Sequence, residues 1–69
     1  MAIERKWSQS AIMSFREDLE MTQEEFAFEV GVSIRTLQRW ENGKFLPDRY
    51  SINELNKAWR RHLRRTVIA

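Results

Sequence analysis

The sequence predicts an all-α fold, a small bundle of four or five short helices in one domain spanning residues 1–69. Three observations lead there. No run of four or more residues alternates apolar and polar as a half-buried strand does. Helix-start signals followed by apolar residues three and four apart recur along the chain. The only strong breakers are Gly31, Gly43 and Pro47, and they fall between those segments. A chain of 69 residues makes one domain at most and buries only about 60% of its unfolded surface, so the core is small.

The first helix is expected over about 9–20. Ser8 or Ser10 can cap it, and Ile12, Phe15 and Leu19 form its apolar stripe. The second is expected over 23–30. Thr22 and Glu25 have capping-box spacing: the hydroxyl accepts from the third amide and the carboxylate reaches back to the cap amide. Phe26, Ala27 and Val30 share one face, and Gly31 can take the left-handed conformation that closes a helix. Ser33 can cap a third helix over 34–42, with Leu37 and Trp40 inward and Asn42-Gly43 at its end. Residues 44–50 read as a loop around Pro47. Ser51 and Glu54 suggest a second capping box, opening a fourth helix over 52–65 with Ile52, Leu55, Trp59 and His62 or Leu63 on one face.

The middle of the chain is the most informative part. Only Gly31-Val32-Ser33 separates the second and third segments. A short glycine-containing turn between two helices is the helix-turn-helix signature, here at about 23–42. The crossing needs a small residue at the contact, met by Ala27, and a residue tolerant of positive φ at the turn, met by Gly31. Phe26, Val30, Val32, Leu37 and Trp40 are its apolar anchors.

Composition narrows the function. The chain has no cysteine and one histidine, His62, so no disulfide, thiolate site or zinc site is expected. No apolar run approaches the roughly 18 residues of a membrane span. MAIERKWSQS has no apolar signal-peptide core. Glu17-Asp18 and Glu24-Glu25 are adjacent pairs that point apart on a helix and suit acid/base chemistry poorly. With no nucleophile-base pair, phosphate-binding loop or metal set, an enzyme is not expected, nor a cofactor, nor a small-molecule substrate. Residues 1–34 carry three bases against seven acids, and residues 35–69 nine bases against three acids. A basic half on so small a domain suits a polyanion such as nucleic acid, or a solvated helix face.

The stretch from Phe15 to Trp59 resembles the helix-turn-helix domain of the lambda-repressor and Cro (XRE-type) family of bacterial and phage transcription regulators. The resemblance rests on Phe15-Arg16, MTQEEFAFEVGVS (21–33), RTLQRWENG (35–43), Pro47, Ile52, Leu55 and Trp59. Two positions depart from the family pattern. Phe28 stands where a polar residue is usual and can leave a ring on the surface. Asn56 stands where a small residue is usual and buries an amide that needs partners.

The resemblance implies site-specific binding to double-stranded DNA by a transcriptional repressor or activator in the bacterial or phage-infected cytoplasm, associated with the nucleoid. It places the helix over 34–42 in the major groove. With Leu37 and Trp40 inward, Ile34, Arg35, Gln38 and Arg39 turn outward as the candidate base contacts. An arginine fork suits guanine O6 and N7, a glutamine suits adenine or a phosphate, and an isoleucine suits a thymine methyl. Gln23, Thr36, Asn42 and Lys44 are the candidate DNA-backbone contacts, with the amides of Asn42-Gly43 and of the second helix start as further donors. The family also implies an ion pair between Arg16 and Glu41.

The basic run Lys57, Arg60, Arg61, Arg64 and Arg65 either touches DNA or balances the acidic half. Trp7, Trp40, Trp59 and the phenylalanines are expected in the core, and His62 at the surface or an edge. The chain is expected to be monomeric or a weak homodimer that assembles on DNA, with Phe28, Phe45, Val67 and Ile68 left for contacts. Two other readings stay open: a helix-turn-helix protein-interaction module of antitoxin or anti-repressor type, and a DNA-binding module cut from a larger chain.

Overall fold

A computed structural model describes the backbone of residues 6–68 and the side chains of residues 6–63. It contains four helices: α1 (Gln9–Asp18), α2 (Gln23–Val30), α3 (Ile34–Glu41) and α4 (Arg49–Ile68). The architecture is all-α. Helix α3 packs on both α1 and α2, and α2 packs on α4. Arg64, Arg65, Val67 and Ile68 have side chains outside the described residues, so the roles expected of them stay expectations.

Three helix starts follow the local chemistry. Ser8 caps α1, its hydroxyl accepting from the Ala11 amide at 3.2 Å. Both halves of the capping box at α2 are formed: the Glu25 amide donates to Thr22 Oγ1 at 3.1 Å, and the Thr22 amide donates to Glu25 Oε1 at 2.9 Å. Ser33 caps α3 through the Thr36 amide at 3.1 Å.

The fourth start is different. Helix α4 begins at Arg49, three residues before the expected 52, and the capping box at Ser51 is not formed. Asp48 takes the cap position, its Oδ1 accepting from the Ser51 amide at 2.8 Å, which holds the Asp48 carboxyl below its usual range. Aspartate caps as well as serine does. Buried Pro47 ends the loop immediately before it, so the first cap residue after the loop is Asp48 and Ser51 is buried in the first turn.

Helix α1 stops at Asp18 rather than at 20. Glu20 adopts φ +58°, and a pair of bonds closes the helix: the Glu20 amide to the Glu17 carbonyl at 2.9 Å and the Met21 amide to the Arg16 carbonyl at 3.2 Å. This is the left-handed closure usually made by glycine. A Cβ makes that conformation costly, while glycine adds entropy to the unfolded chain. Glu20→Gly is therefore expected to stabilise the protein, by a net ~0.5–1 kcal/mol. Urea unfolding would read this as a higher midpoint at an unchanged slope. A lower midpoint would show that the Glu20 backbone is not strained.

The core consists of Trp7, Ile12, Phe15, Phe26, Ala27, Val30, Leu37, Trp40, Leu55 and Ala58, with Leu19, Val32, Ile52 and Trp59 among the partly buried residues around it. Phe15 is at the centre. Its ring lies 5.6 Å from Trp7, 5.3 Å from Phe26 and 5.2 Å from Trp59, centroid to centroid. The buried Asn56 amide has a partner: the Trp7 indole N–H donates to Asn56 Oδ1 at 2.8 Å. A polar residue at a position usual for a small one is thus accommodated by the tryptophan that precedes α1.

One expectation about side chains needs correction. Not every phenylalanine is core: Phe28 is 89% exposed and Phe45 57% exposed, the two also expected to remain for contacts. Phe28 is on the α2 face opposite Phe26 and Val30, and Phe45 is in the loop after α3. His62 is at the edge of the core, one of the two places expected for it. It is half-buried, edge-on to Phe15 at 6.0 Å, with Nε2 3.2 Å from Glu29 Oε2. Residues 62 and 55 are seven apart on α4, so the histidine follows Leu55 towards the core face. Among the described residues no helix is long and apolar enough to cross a membrane.

Candidate nucleic-acid interface

Helix α3 is divided lengthwise. Leu37 and Trp40 are buried against α1 and α2. Ile34, Arg35, Gln38 and Arg39 are all on the exposed side, where the sequence places them. Ile34 is 37% exposed, so an apolar side chain is available at the start of the helix beside Arg35. The turn that sets this face contains Gly31 at φ +87°. A Cβ there would meet nothing within 4 Å, so glycine serves the backbone conformation and not the packing.

The only acid of α3 is turned inward. Glu41 is buried, and Arg16 holds it by a fork: Nε to Oε2 at 2.8 Å and Nη2 to Oε1 at 3.0 Å. Arg16 Nη1 also donates to the Met21 carbonyl at 3.2 Å. Hydrogen bonding to Glu41 raises the pKa of Arg16 further, so the guanidinium is charged at any working pH. The Gln9 side-chain amide donates to the Glu41 carbonyl at 2.6 Å, tying α1 to the end of α3. Removing Glu41 from the surface leaves the outward side of α3 basic and polar.

Gln23 connects this buried pair to the exposed face. Its Nε2 donates to Glu41 Oε1 at 3.1 Å, and its Oε1 accepts from Gln38 Nε2 at 3.4 Å. A primary amide has two N–H donors, so Gln23 keeps one for an external acceptor. Thr36 is arranged similarly. Ser33 Oγ donates to Thr36 Oγ1 at 3.0 Å, which leaves the Thr36 hydroxyl hydrogen to be donated elsewhere.

The end of α3 corrects one expectation. The Asn42 and Gly43 amides are not offered outward. They donate to the Gln38 carbonyl at 2.8 Å and the Trp40 carbonyl at 3.1 Å, and the Lys44 amide donates to the Arg39 carbonyl at 3.1 Å. With Gly43 at φ +78°, the helix closes on its own carbonyls. A Cβ at Gly43 would come within 3.0 Å of Gln9 Oε1, so this glycine serves space as well as conformation. What Asn42 and Lys44 present outward are their exposed side chains. At α2, the capping box likewise takes up the Thr22 and Glu25 amides internally.

The basic run of α4 is partly used inside the fold. Lys57 pairs with Glu54 at 3.3 Å. Arg61 donates to Glu29 Oε2 at 2.8 Å and to the Glu29 carbonyl at 3.4 Å, so it ties α4 to the C-terminal turn of α2. Arg61, and secondarily desolvation and His62, set the Glu29 carboxyl, with the net effect of holding it below the usual carboxylate range. Residue spacing alone does not reveal this use, because the partners are 32 positions apart.

One contact escapes any sequence pattern. The Arg39 guanidinium carbon lies 5.5 Å from the centre of the Phe45 ring. The two side chains meet because the α3 closure folds the loop back on the helix end.

A family model described as helix-turn-helix matches residues 12–58. No curated protein and no solved structure matches the chain significantly. The matched span contains most of α1, all of α2 and α3, and half of α4, and with them the Arg16–Glu41 pair and every outward residue of α3. The chain therefore belongs to the lambda-repressor-like helix-turn-helix family of DNA-binding regulators.

Proposed function

We propose that the chain binds double-stranded DNA site-specifically as a transcriptional regulator, a repressor or an activator, with α3 in the major groove. The observation that carries this reading is the division of α3. Its acid is buried and paired with Arg16, and its open side holds Ile34, Arg35, Gln38 and Arg39. Arg35 and Arg39, one turn apart, read guanine edges; Ile34 and Gln38 supply an apolar and an amide contact beside them. Gln23, with its spare amide hydrogen, Thr36, with its spare hydroxyl hydrogen, and the side chains of Asn42 and Lys44 hold the sugar-phosphate backbone.

The domain acts as one unit over 1–69 and works in the bacterial or phage-infected cytoplasm, at the nucleoid. It pairs weakly on a two-fold operator whose half-sites lie about 34 Å apart on one face of the duplex. A protein-interaction module would suit an apolar or acidic outer face on α3, and the basic, polar face argues against it.

Selection of bound duplexes from a random pool tests the reading first, and the chosen site should contain an inverted repeat. On that site Arg35→Ala is expected to cost ~1–3 kcal/mol and to flatten preference at one base pair. Lys44→Ala is expected to weaken all duplexes alike and to lower the salt slope by about one unit. Binding to the site and its single-base variants at several salt concentrations separates the two. If Arg35→Ala kept every base preference, α3 would not be the reading helix. If the wild-type chain bound no duplex at low salt, the protein-interaction reading would replace this one.

A further inference from the structure

We propose that Phe45 is a positioning residue for Arg39, holding its guanidinium at the edge of α3 before DNA arrives. This rests on the reading of α3 as the groove helix and names a specificity determinant outside that helix. The Arg39 guanidinium carbon is 5.5 Å from the Phe45 ring centre, within the range of a cation–π contact. The loop that carries the ring is anchored to the same residue. The Lys44 and Phe45 amides donate to the Arg39 carbonyl at 3.1 and 3.4 Å, and Gly43 at φ +78° allows the turn. Arg39 thus fixes the backbone of Phe45, and Phe45 restrains the side chain of Arg39.

The type of contact matters. A carboxylate partner would restrain an arginine by occupying its N–H donors, as Glu41 does for Arg16. An aromatic face restrains the cation and leaves its five donors free. Among the described residues, Arg39 has no ion pair and donates no side-chain hydrogen bond, so its fork remains available for a base edge. Phe45 is 57% exposed, so little of it serves the core, and its replacement should leave the fold intact.

The test compares wild type, Phe45→Leu, Arg39→Ala and the double variant on the selected duplex and its single-base variants. Phe45→Leu keeps an apolar side chain and removes the ring face. It is expected to weaken binding about two- to five-fold, the size of an exposed cation–π contact. It should also reduce discrimination at the base pair whose preference Arg39→Ala flattens, and have no further effect in the Arg39→Ala background. In the free protein, the Arg39 side-chain protons should show a ring-current shift that Phe45→Leu abolishes. Additive losses, or equal weakening of every duplex, would mean that Phe45 itself touches DNA, and would overturn the proposal. So would an absent ring-current shift. If Arg35→Ala altered base preference and Arg39→Ala did not, the positioning role would fail while the groove assignment stood. If neither did, both would fail.

Discussion

Phe15→Ala is expected to lower the stability of the fold by about 3–5 kcal/mol. Phe15 is 1% exposed and its ring meets Trp7, Phe26, Trp59 and His62. Truncating a buried phenylalanine costs about 3–5 kcal/mol, through lost burial and the cavity left behind. Folded domains have roughly 0.05–0.15 kcal/mol of stability per residue, so a chain of this size has about 3–10 kcal/mol in all. The loss thus removes about a third of the total at the least, and all of it at the lower end of that range. Urea unfolding followed by tryptophan fluorescence reads it directly, because Trp7 and Trp59 flank the ring. Phe28→Ala is the matched control. With Phe28 89% exposed, that change should stay within about ±0.5 kcal/mol. Equal effects of the two would mean that the aromatic cluster is not the centre of the core.

Arg16→Met should destabilise the fold by about 3 kcal/mol. It retains a long apolar stem and strips the Glu41 carboxylate of its fork, leaving a buried charge with Gln23 as its side-chain donor. Breaking one partner of a buried pair costs about 3–5 kcal/mol; the remaining 18% exposure of Arg16 places this case at the low end. Adding Glu41→Leu should recover much of the loss, because an apolar pair of similar volume avoids the desolvation of both charges. The double variant should fold and still bind less well, since Gln23 loses the acceptor that holds it beside Gln38. A thermal melt checks the first statement and duplex binding the second. A loss below about 1 kcal/mol in Arg16→Met would show that the pair is solvated and contributes as a surface pair does.

The outline of the fold was legible because its signals are local. Thr22 and Glu25, Ser33, Gly31 and Gly43 each specify a helix boundary within four residues of themselves. Leu37 and Trp40, three apart, settle which side of α3 is buried, and thereby that Arg35 and Arg39 are on the other. The misjudged boundaries also have local reasons. Serine at 51 and aspartate at 48 are both good caps, and Asp48, directly after the buried Pro47, is the one that caps α4. Glu20 is an uncommon residue for a left-handed closure, so the end of α1 had no glycine to mark it.

Other features depend on residues distant in sequence. That Asn56 is satisfied depends on Trp7, 49 positions away. Lys57 and Arg61 look alike in the basic run, yet Arg61 is held by Glu29 and joins α4 to α2. Phe26 and Phe28 are two apart on one helix, so their opposite exposure follows from periodicity, whereas Phe45 meets Arg39 only because the loop folds back.

The sequence by itself thus determined an all-α chain, its helix-turn-helix, the buried and open sides of α3 and the membership of a DNA-binding family. The tertiary structure alone decided which polar groups are taken up by partners inside the fold. Capping and periodicity act over one or two turns and can be read in the order of residues. Whether a charge or an amide is available depends on what packs against it, and Gln9, Gln23, Asn56 and Arg61 acquire their partners only when the four helices come together.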